Sequence, residues 1–485
     1  MTRQIFFKNL FQIFFFFFCI SSYAELLLVQ STDIHGQLAE EGYQPGIERI
    51  GTKILELRKK YQKNMILFDC GDILQGTYSA SLDRGKTMIT ALNYLNYDFW
   101  VPGNHDFDYG TENLLERIRE FNGTVLMANI EFQNKPDNVK RWMMFHRDGK
   151  KIAVIGFVPP FLPHWIAPAQ LKGIRQIPIE KILPGIMKEI RRERPDLIFV
   201  AIHIGEFIPG RLVGMAKRQM LYRIFEKYPD IRLIFGGHSH LTVSLKRSGP
   251  YANFTQASPL SGGLSCVSVI FPKNKFGEIT FSGQISPVST LNPDPQLYKL
   301  LDEHRKKSFI DRKKLVGHVS FPMGGTEDFG KKLGKSLLEF TGADAALCSA
   351  PSNYRTRPGK IRKFQVFLLI PYENYISVLT VGPRDMKAIL QEQHSLKQKN
   401  MFMPLTSRRL KYNKRENKLY LDNREWKNET QKIRVALTSY AASGAGGRYP
   451  ILREITNRVV REEKNTTLRE VFEVWLKRHY SRKKR

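Results

Sequence analysis

The chain has 485 residues, 42% of them apolar, and a formal charge of +30. That length is long for one hydrophobic core and favours two domains, while the ordinary apolar content argues against a disordered chain. Its 4 cysteines exclude a disulfide-built scaffold, because Cys70, Cys266 and Cys348 form an odd, widely spaced set once Cys19 leaves with a leader.

In chain order, the first expectation is that leader. Arg3 and Lys8 precede an apolar core from Phe11 to Ile20, and small residues surround Ser22-Tyr23-Ala24. This pattern predicts a signal peptide over 1–24, hence a periplasmic or secreted protein. The apolar core is shorter than the roughly 20 residues that span a bilayer.

From Glu25 to about Val288, apolar runs alternate with helical spacings such as Ile47, Ile50, Ile54 and Leu57, which predicts a layered α/β domain over 25–290. Five runs read as buried strands: Leu26 to Val29, Met65 to Phe68, Phe99 to Val101, Leu197 to Ile202 and Ile231 to Phe235. Each stops at polar chemistry, namely Asp33 with His35, Asp72, Asn104 with His105, His203, and His238 with His240. Ligands in α/β proteins gather where the carboxyl ends of strands meet, so these five ends mark one site. Asp33 and His35, two apart, reach one side of an extended segment, and the two oxygens of Asp72 can bridge two cations. Carboxylate, amide and imidazole together suit Zn, Mn, Fe or Co rather than calcium. A single histidine after a strand is more often a structural hydrogen-bonding residue. The joint order of five such ends is what points to a metal-centred hydrolase.

Leu291-Asn-Pro-Asp-Pro295 breaks the pattern, and the charged stretch Gln296 to Lys314 suits a linker helix, so 291–314 reads as a linker. A second α/β domain is expected over 315–485, with strands at Ile376 to Val381 and Arg434 to Leu437. Residues 301–485 hold 40 Lys and Arg against 19 Asp and Glu, about two thirds of the excess charge. This favours contact with anions: nucleotide phosphates, nucleic acid or an anionic envelope surface. Solvated surface charge is the plain alternative.

Taken together, Asp33-Ile-His35, Gly71-Asp72, Gly103-Asn104-His105-Asp106, His203 and Gly236-Gly-His238-Ser-His240 resemble the five blocks of the dinuclear metallophosphoesterases. Within these, the chain is similar to the secreted 5′-nucleotidases and 2′,3′-cyclic-nucleotide phosphodiesterases. The resemblance implies an αββα sandwich and two divalent metal ions, one on Asp33, His35, Asp72 and His240, the other on Asp72, Asn104, His203 and His238. It implies His105 as the catalytic histidine and Asp108 as the carboxylate that orients it. Two metals about 3.5–4 Å apart would bind phosphate oxygens and acidify a water.

The C-terminal part resembles the nucleotidase substrate-binding domain through Gly342-Ala-Asp344, Pro371-Tyr-Glu-Asn374, Val435-Ala-Leu-Thr-Ser-Tyr440 and the glycines 444, 446 and 447. Arg355 or Arg357 stands near the usual arginine, and Tyr449 and Phe402 are the candidates for an aromatic clamp on the base. The family's Gly-Gly-Asp-Gly-aromatic turn reads Gly444-Ala-Gly-Gly-Arg448-Tyr449, without its aspartate. The resemblance implies release of phosphate from nucleoside 5′-monophosphates. The alternatives are 2′,3′-cyclic nucleotides or nucleotide-sugar diphosphates at the same metals, or a basic binding protein for nucleic acid or an envelope polymer. No obligate protein partner is expected.

Overall fold

The structure is a computed structural model that describes residues 25–39, 44–205, 225–248, 252–272, 277–396 and 402–481. The expected signal peptide and Cys19 lie outside the described residues. Among the described residues, no helix is long and apolar enough to cross a membrane.

Apolar runs with no polar alternation can only be strands buried on both faces, and that is where the chain places them. Glu25–Ser31, Met65–Asp69, Phe99–Trp100, Thr124–Leu126 and Val139–Lys140 lie parallel in one sheet, extended by the antiparallel strands Gly263–Ile270 and Thr280–Pro287. A second sheet is centred on the parallel strands Lys150–Phe157, Leu197–Ile202 and Ile231–Phe235. Successive side chains on a strand point to opposite faces. Leu26, Leu28, Ile66, Phe68 and Phe99 therefore meet Val154, Phe199, Leu233 and Phe235 between the sheets. Leu27, Val29, Leu67 and Trp100 face outward onto Ile47, Ile50 and Ile54 of the helix Ile47–Tyr61 and onto Leu92 and Leu114. On the far side, the helix Ile179–Arg192 covers the second sheet through Leu183, Ile186, Met187 and Ile190. The result is helix, sheet, sheet, helix.

The linker segment departs from the single helix expected. It forms two, Pro295–Leu300 and Asp302–Asp311, joined at Leu301. Pro295 sits at the start of the first, where its missing N–H costs nothing, and Asp294 caps that end through the Leu297 N–H at 2.7 Å. The second helix is tied to the catalytic layer by a buried ion pair between Arg305 and Glu48. Tyr78 also donates to Asp311 at 2.6 Å.

Beyond it, Leu405–Ser407, Ala345–Leu347, Ile433–Thr438, Tyr375–Val381 and Val460–Thr467 form a five-stranded mixed sheet in that order. Helices Glu327–Thr341 and Leu468–Tyr480 pack on one face, around Leu333, Leu337, Phe472 and Leu476. Helices Pro383–Ser395 and Pro450–Arg458 pack on the other, around Met386, Ile389, Leu452 and Ile455. Cys70, Cys266 and Cys348 are all buried and unbridged.

Candidate dinuclear metal centre

The first three strands of one sheet and the last two of the other end at the same rim. There the chain leaves regular structure at once: Asp33, His35, Asp72, His238 and His240 all have φ between 51° and 71°. Aspartate and histidine tolerate the left-handed region better than most residues, but five such positions in one place store strain that a packed loop must hold. Asp106 supplies part of that hold. Its fully buried carboxylate accepts the backbone N–H groups of Asp72, Ile73, Leu74 and Gly103 at 2.7–2.9 Å. Gly103 is required by space: a Cβ there would stand 2.2 Å from Asp72 Oδ1.

The structure brings the seven proposed ligands together. Ligand atoms of Asp33, His35, Asp72 and His240 fall within 4.8 Å of one another, and so do those of Asp72, His203 and His238, so Asp72 is shared. Asn104 Oδ1 lies 2.7 Å from His238 Nδ1, which puts it beside the second group. His35 Nδ1 bonds the Gln75 carbonyl at 2.9 Å and His203 Nδ1 the Cys70 carbonyl at 2.5 Å, which fixes both rings and turns each Nε2 inward.

These inward nitrogens test whether cations fit. His203 Nε2 is fully buried and meets the carboxylate of Asp72, 3.1 Å away and outside hydrogen-bonding geometry. His35 Nε2 faces His240 Nε2 at 3.0 Å, two nitrogens turned toward each other beside Asp33 and Asp72. An orphaned buried nitrogen and converging lone pairs next to buried carboxylates are what cations satisfy, so the residues fit two of them.

The protonation pattern agrees. Burial, helped by His105 and His240, pushes His35 down to about 3 against the pull of Asp72, leaving it a neutral ligand. Burial also opposes charge on His203, but Asp72 overrides it and holds the ring up at about 9, a proton standing where a cation would. Burial raises Asp33.

His105 lies at the edge of this cluster with Nδ1 2.8 Å from Asp108 Oδ2. Burial works against its charge, yet Asp108 and Asp72 outweigh it and push the imidazole up to about 10. A cleft of about 1060 Å³ opens from His105, Asn104, His203 and His238 toward the second domain. Its catalytic-domain wall carries Phe161 and Trp165, with the Trp165 ring 5.1 Å from that of His238. The opposite wall carries Tyr372, Tyr440, Arg448 and Tyr449. Tyr372 stacks on His105, centroids 6.1 Å apart and planes 21° apart.

Of the substrate-binding candidates, Tyr449 lines the cleft, and Arg355, Arg357 and Phe402 do not. Thr356 is buried and anchored to Met323 by two hydrogen bonds, so the arginines on either side of it face solvent. Phe402 packs edge-on to His394 at 5.6 Å. Tyr372 stands beside the Asp/His cluster instead, stacked on His105. Sequence reasoning passed over Tyr372 and Tyr440 although both sit inside quoted landmarks, and over Trp165 and Arg448.

Residues 26–241 match the calcineurin-like phosphoesterase family, and the second α/β domain follows the matched segment. Several of the proteins it resembles are named as nucleotidases or nucleotide phosphodiesterases. The 5′-nucleotidase of Vibrio vulnificus (strain CMCP6) is 27% identical over 228 residues, which is 46% of this chain and 41% of that protein. The 2′,3′-cyclic-nucleotide 2′-phosphodiesterase/3′-nucleotidase of Salmonella typhimurium is 25% identical over 347 residues, 64% of this chain and 52% of that protein. The chain thus aligns with about half, or less, of the length of these relatives. Among solved structures, a candidate 5′-nucleotidase from Staphylococcus aureus in complex with alpha-ketoglutarate superposes with a TM-score of 0.75 at 18% identity, covering 95% of this chain and 98% of that one. The 5′-nucleotidase precursor of Thermus thermophilus gives 0.65 at 18% identity, covering 95% and 97%. At such identities the likeness shows a shared two-domain fold.

Proposed function

We propose that the chain is a phosphoester hydrolase using two divalent metal ions, releasing phosphate from nucleoside 5′-monophosphates. The observation that carries this reading is a pair of ligand groups sharing buried Asp72, with Asn104, His203 and His238 on the wall of a cleft whose far wall is aromatic. Asp33, His35, Asp72 and His240 would hold one ion, and Asp72, Asn104, His203 and His238 the other. When bound, such ions supply positive charge to the phosphoryl oxygens and bring the pKa of a water toward neutrality.

The chain's own residues do the rest. Asp108 holds Nδ1 of His105 and favours its cationic form, which leaves Nε2 to meet the substrate. As the P–O bond to the nucleoside breaks, His105 gives its proton to the departing alkoxide, a poor leaving group without one. Tyr372, stacked on His105, and Tyr449 offer faces for the base, and stacking tolerates several bases. Export by the leader over 1–24 would place this activity in the periplasm or outside the cell, consistent with a neighbour described as a precursor.

A second reading, hydrolysis of 2′,3′-cyclic nucleotides, is favoured by the 64% of the chain that aligns with the Salmonella phosphodiesterase. The test is chromatographic product analysis of AMP, 2′,3′-cyclic AMP and a nucleotide sugar, reading adenosine, the ring-opened monophosphate and the nucleoside monophosphate respectively, by protein reconstituted in turn with Mn, Zn, Co and Fe. Turnover of AMP above the others, abolished by chelation, is the expected result. No turnover with any metal would overturn the reading.

A further inference from the structure

The cleft holds three formally charged side chains outside the Asp/His cluster: Asp108, Glu373 and Arg448. Asp108 is bound to His105 at 2.8 Å, and Glu373 receives Arg469 at 2.6 Å. Arg448 has no acidic partner among the described residues; its guanidinium reaches only the Tyr440 hydroxyl, at a long 3.4 Å. It is exposed toward the cleft space and close enough to Tyr372, Tyr440 and Tyr449 to draw all three phenols toward ionisation against their burial.

His105 marks where a leaving oxygen must be protonated, Tyr372 stacks on it, and Arg448 lines the same cleft. A leaving alcohol therefore shares the cleft with an uncompensated cation. The cleft, at about 1060 Å³, lies at the upper end of ligand-sized cavities. It has room for more than a ring and one phosphate. A guanidinium with five donors and no acceptor suits a phosphate or carboxylate above any neutral group.

Resting on the hydrolase reading above, we propose that Arg448 selects substrates whose leaving group bears a second anionic group, so that a nucleoside 3′,5′-bisphosphate is preferred to the corresponding 5′-monophosphate. Only the ester at the Asp/His cluster is cleaved. The second phosphate is held, not transferred, and leaves on the nucleoside product.

Two measurements on the full chain test this. In steady-state kinetics with metal, kcat/KM for adenosine 3′,5′-bisphosphate should exceed that for AMP by about tenfold or more, the size of one charge-assisted hydrogen bond. In Arg448→Gln the ratio should fall to about one, and Arg448→Lys should recover part of it, since an ammonium keeps the charge and loses the fork. In calorimetric binding with chelator present, the bisphosphate should bind more tightly than AMP, and Arg448→Gln should remove the difference. A wild-type ratio near one, or a preference that survives Arg448→Gln, overturns the assignment of Arg448 and leaves the hydrolase reading standing. Arg448-dependent binding without turnover of either nucleotide overturns the hydrolase reading and supports Arg448 as an anion site.

Discussion

Asp106 shows how much of a candidate metal site is made by a residue outside both ligand groups. Four backbone donors around the Asp72 turn converge on its carboxylate, out of reach of water. An orphaned buried donor costs about 1–3 kcal/mol, so Asp106→Ala, with partial relief by an entering water, should lose about 3–5 kcal/mol of stability. Urea unfolding measures it, and an unchanged midpoint would show the carboxylate to be dispensable. Asp106→Asn keeps one acceptor oxygen and should lose less. His105 predicts the converse, a chemical defect without a structural one. Its ring is partly exposed and lies beside the cluster, so His105→Asn should leave metal content, read by elemental analysis, intact while turnover falls by a factor on the order of 10²–10⁴. Unchanged turnover would remove His105 from the mechanism.

Among the elements, the helix Asp302–Asp311 is tied to the first domain by a buried charge pair together with the Tyr78–Asp311 hydrogen bond. Glu48 is fully buried, accepts the Ala39 N–H at 2.7 Å and faces Arg305 across the helix contact. Removing one member of such a pair strands the other, so Arg305→Ala should destabilise the protein by about 3–5 kcal/mol in chemical denaturation. The double variant Arg305→Met, Glu48→Gln should lose less, because no charge is left unpaired. The pair also illustrates what was legible in the sequence. Strands such as Leu197–Ile202 and Ile231–Phe235 announce themselves because both faces are apolar, and the ligands announce themselves because they close those strands. The residues that answer each other across hundreds of positions do not. Nothing local marks Arg305 as the partner of Glu48, distinguishes Tyr372 from Phe402 as a cleft aromatic, or tells that anchored Thr356 turns Arg355 and Arg357 outward. The linker's division at Leu301 was hidden too, because its charged residues suit one helix as well as two.

At the scale of the molecule, the cleft exists only while the two domains meet, and they meet by backbone as well as by side chain. Gln75, whose own carbonyl orients His35, donates to the Pro371 carbonyl of the second domain at 2.9 Å. Across the opening, Arg453 reaches His164 at 2.7 Å, and Gly446 lies so close to Trp165 that a Cβ there would stand 2.6 Å from its indole nitrogen. Gly446 also has φ of 69°, a conformation that disfavours any side chain by about 1–2 kcal/mol. Gly446→Ala should therefore move the turn carrying Arg448 and Tyr449 away from the Trp165 wall and leave the cores of both domains alone. The Asp/His cluster lies on strand ends of the first domain, so its metal content should not change. The distance from that cluster to the aromatic wall should, and nucleotides, which must reach both, should show KM raised by about tenfold, the equivalent of about 1.4 kcal/mol of lost binding. A small aryl phosphate that occupies only the His105 end should be affected far less. Equal losses on both substrates would mean that the turn acts on the chemistry itself; no loss on either would mean that the wall does not hold the nucleotide.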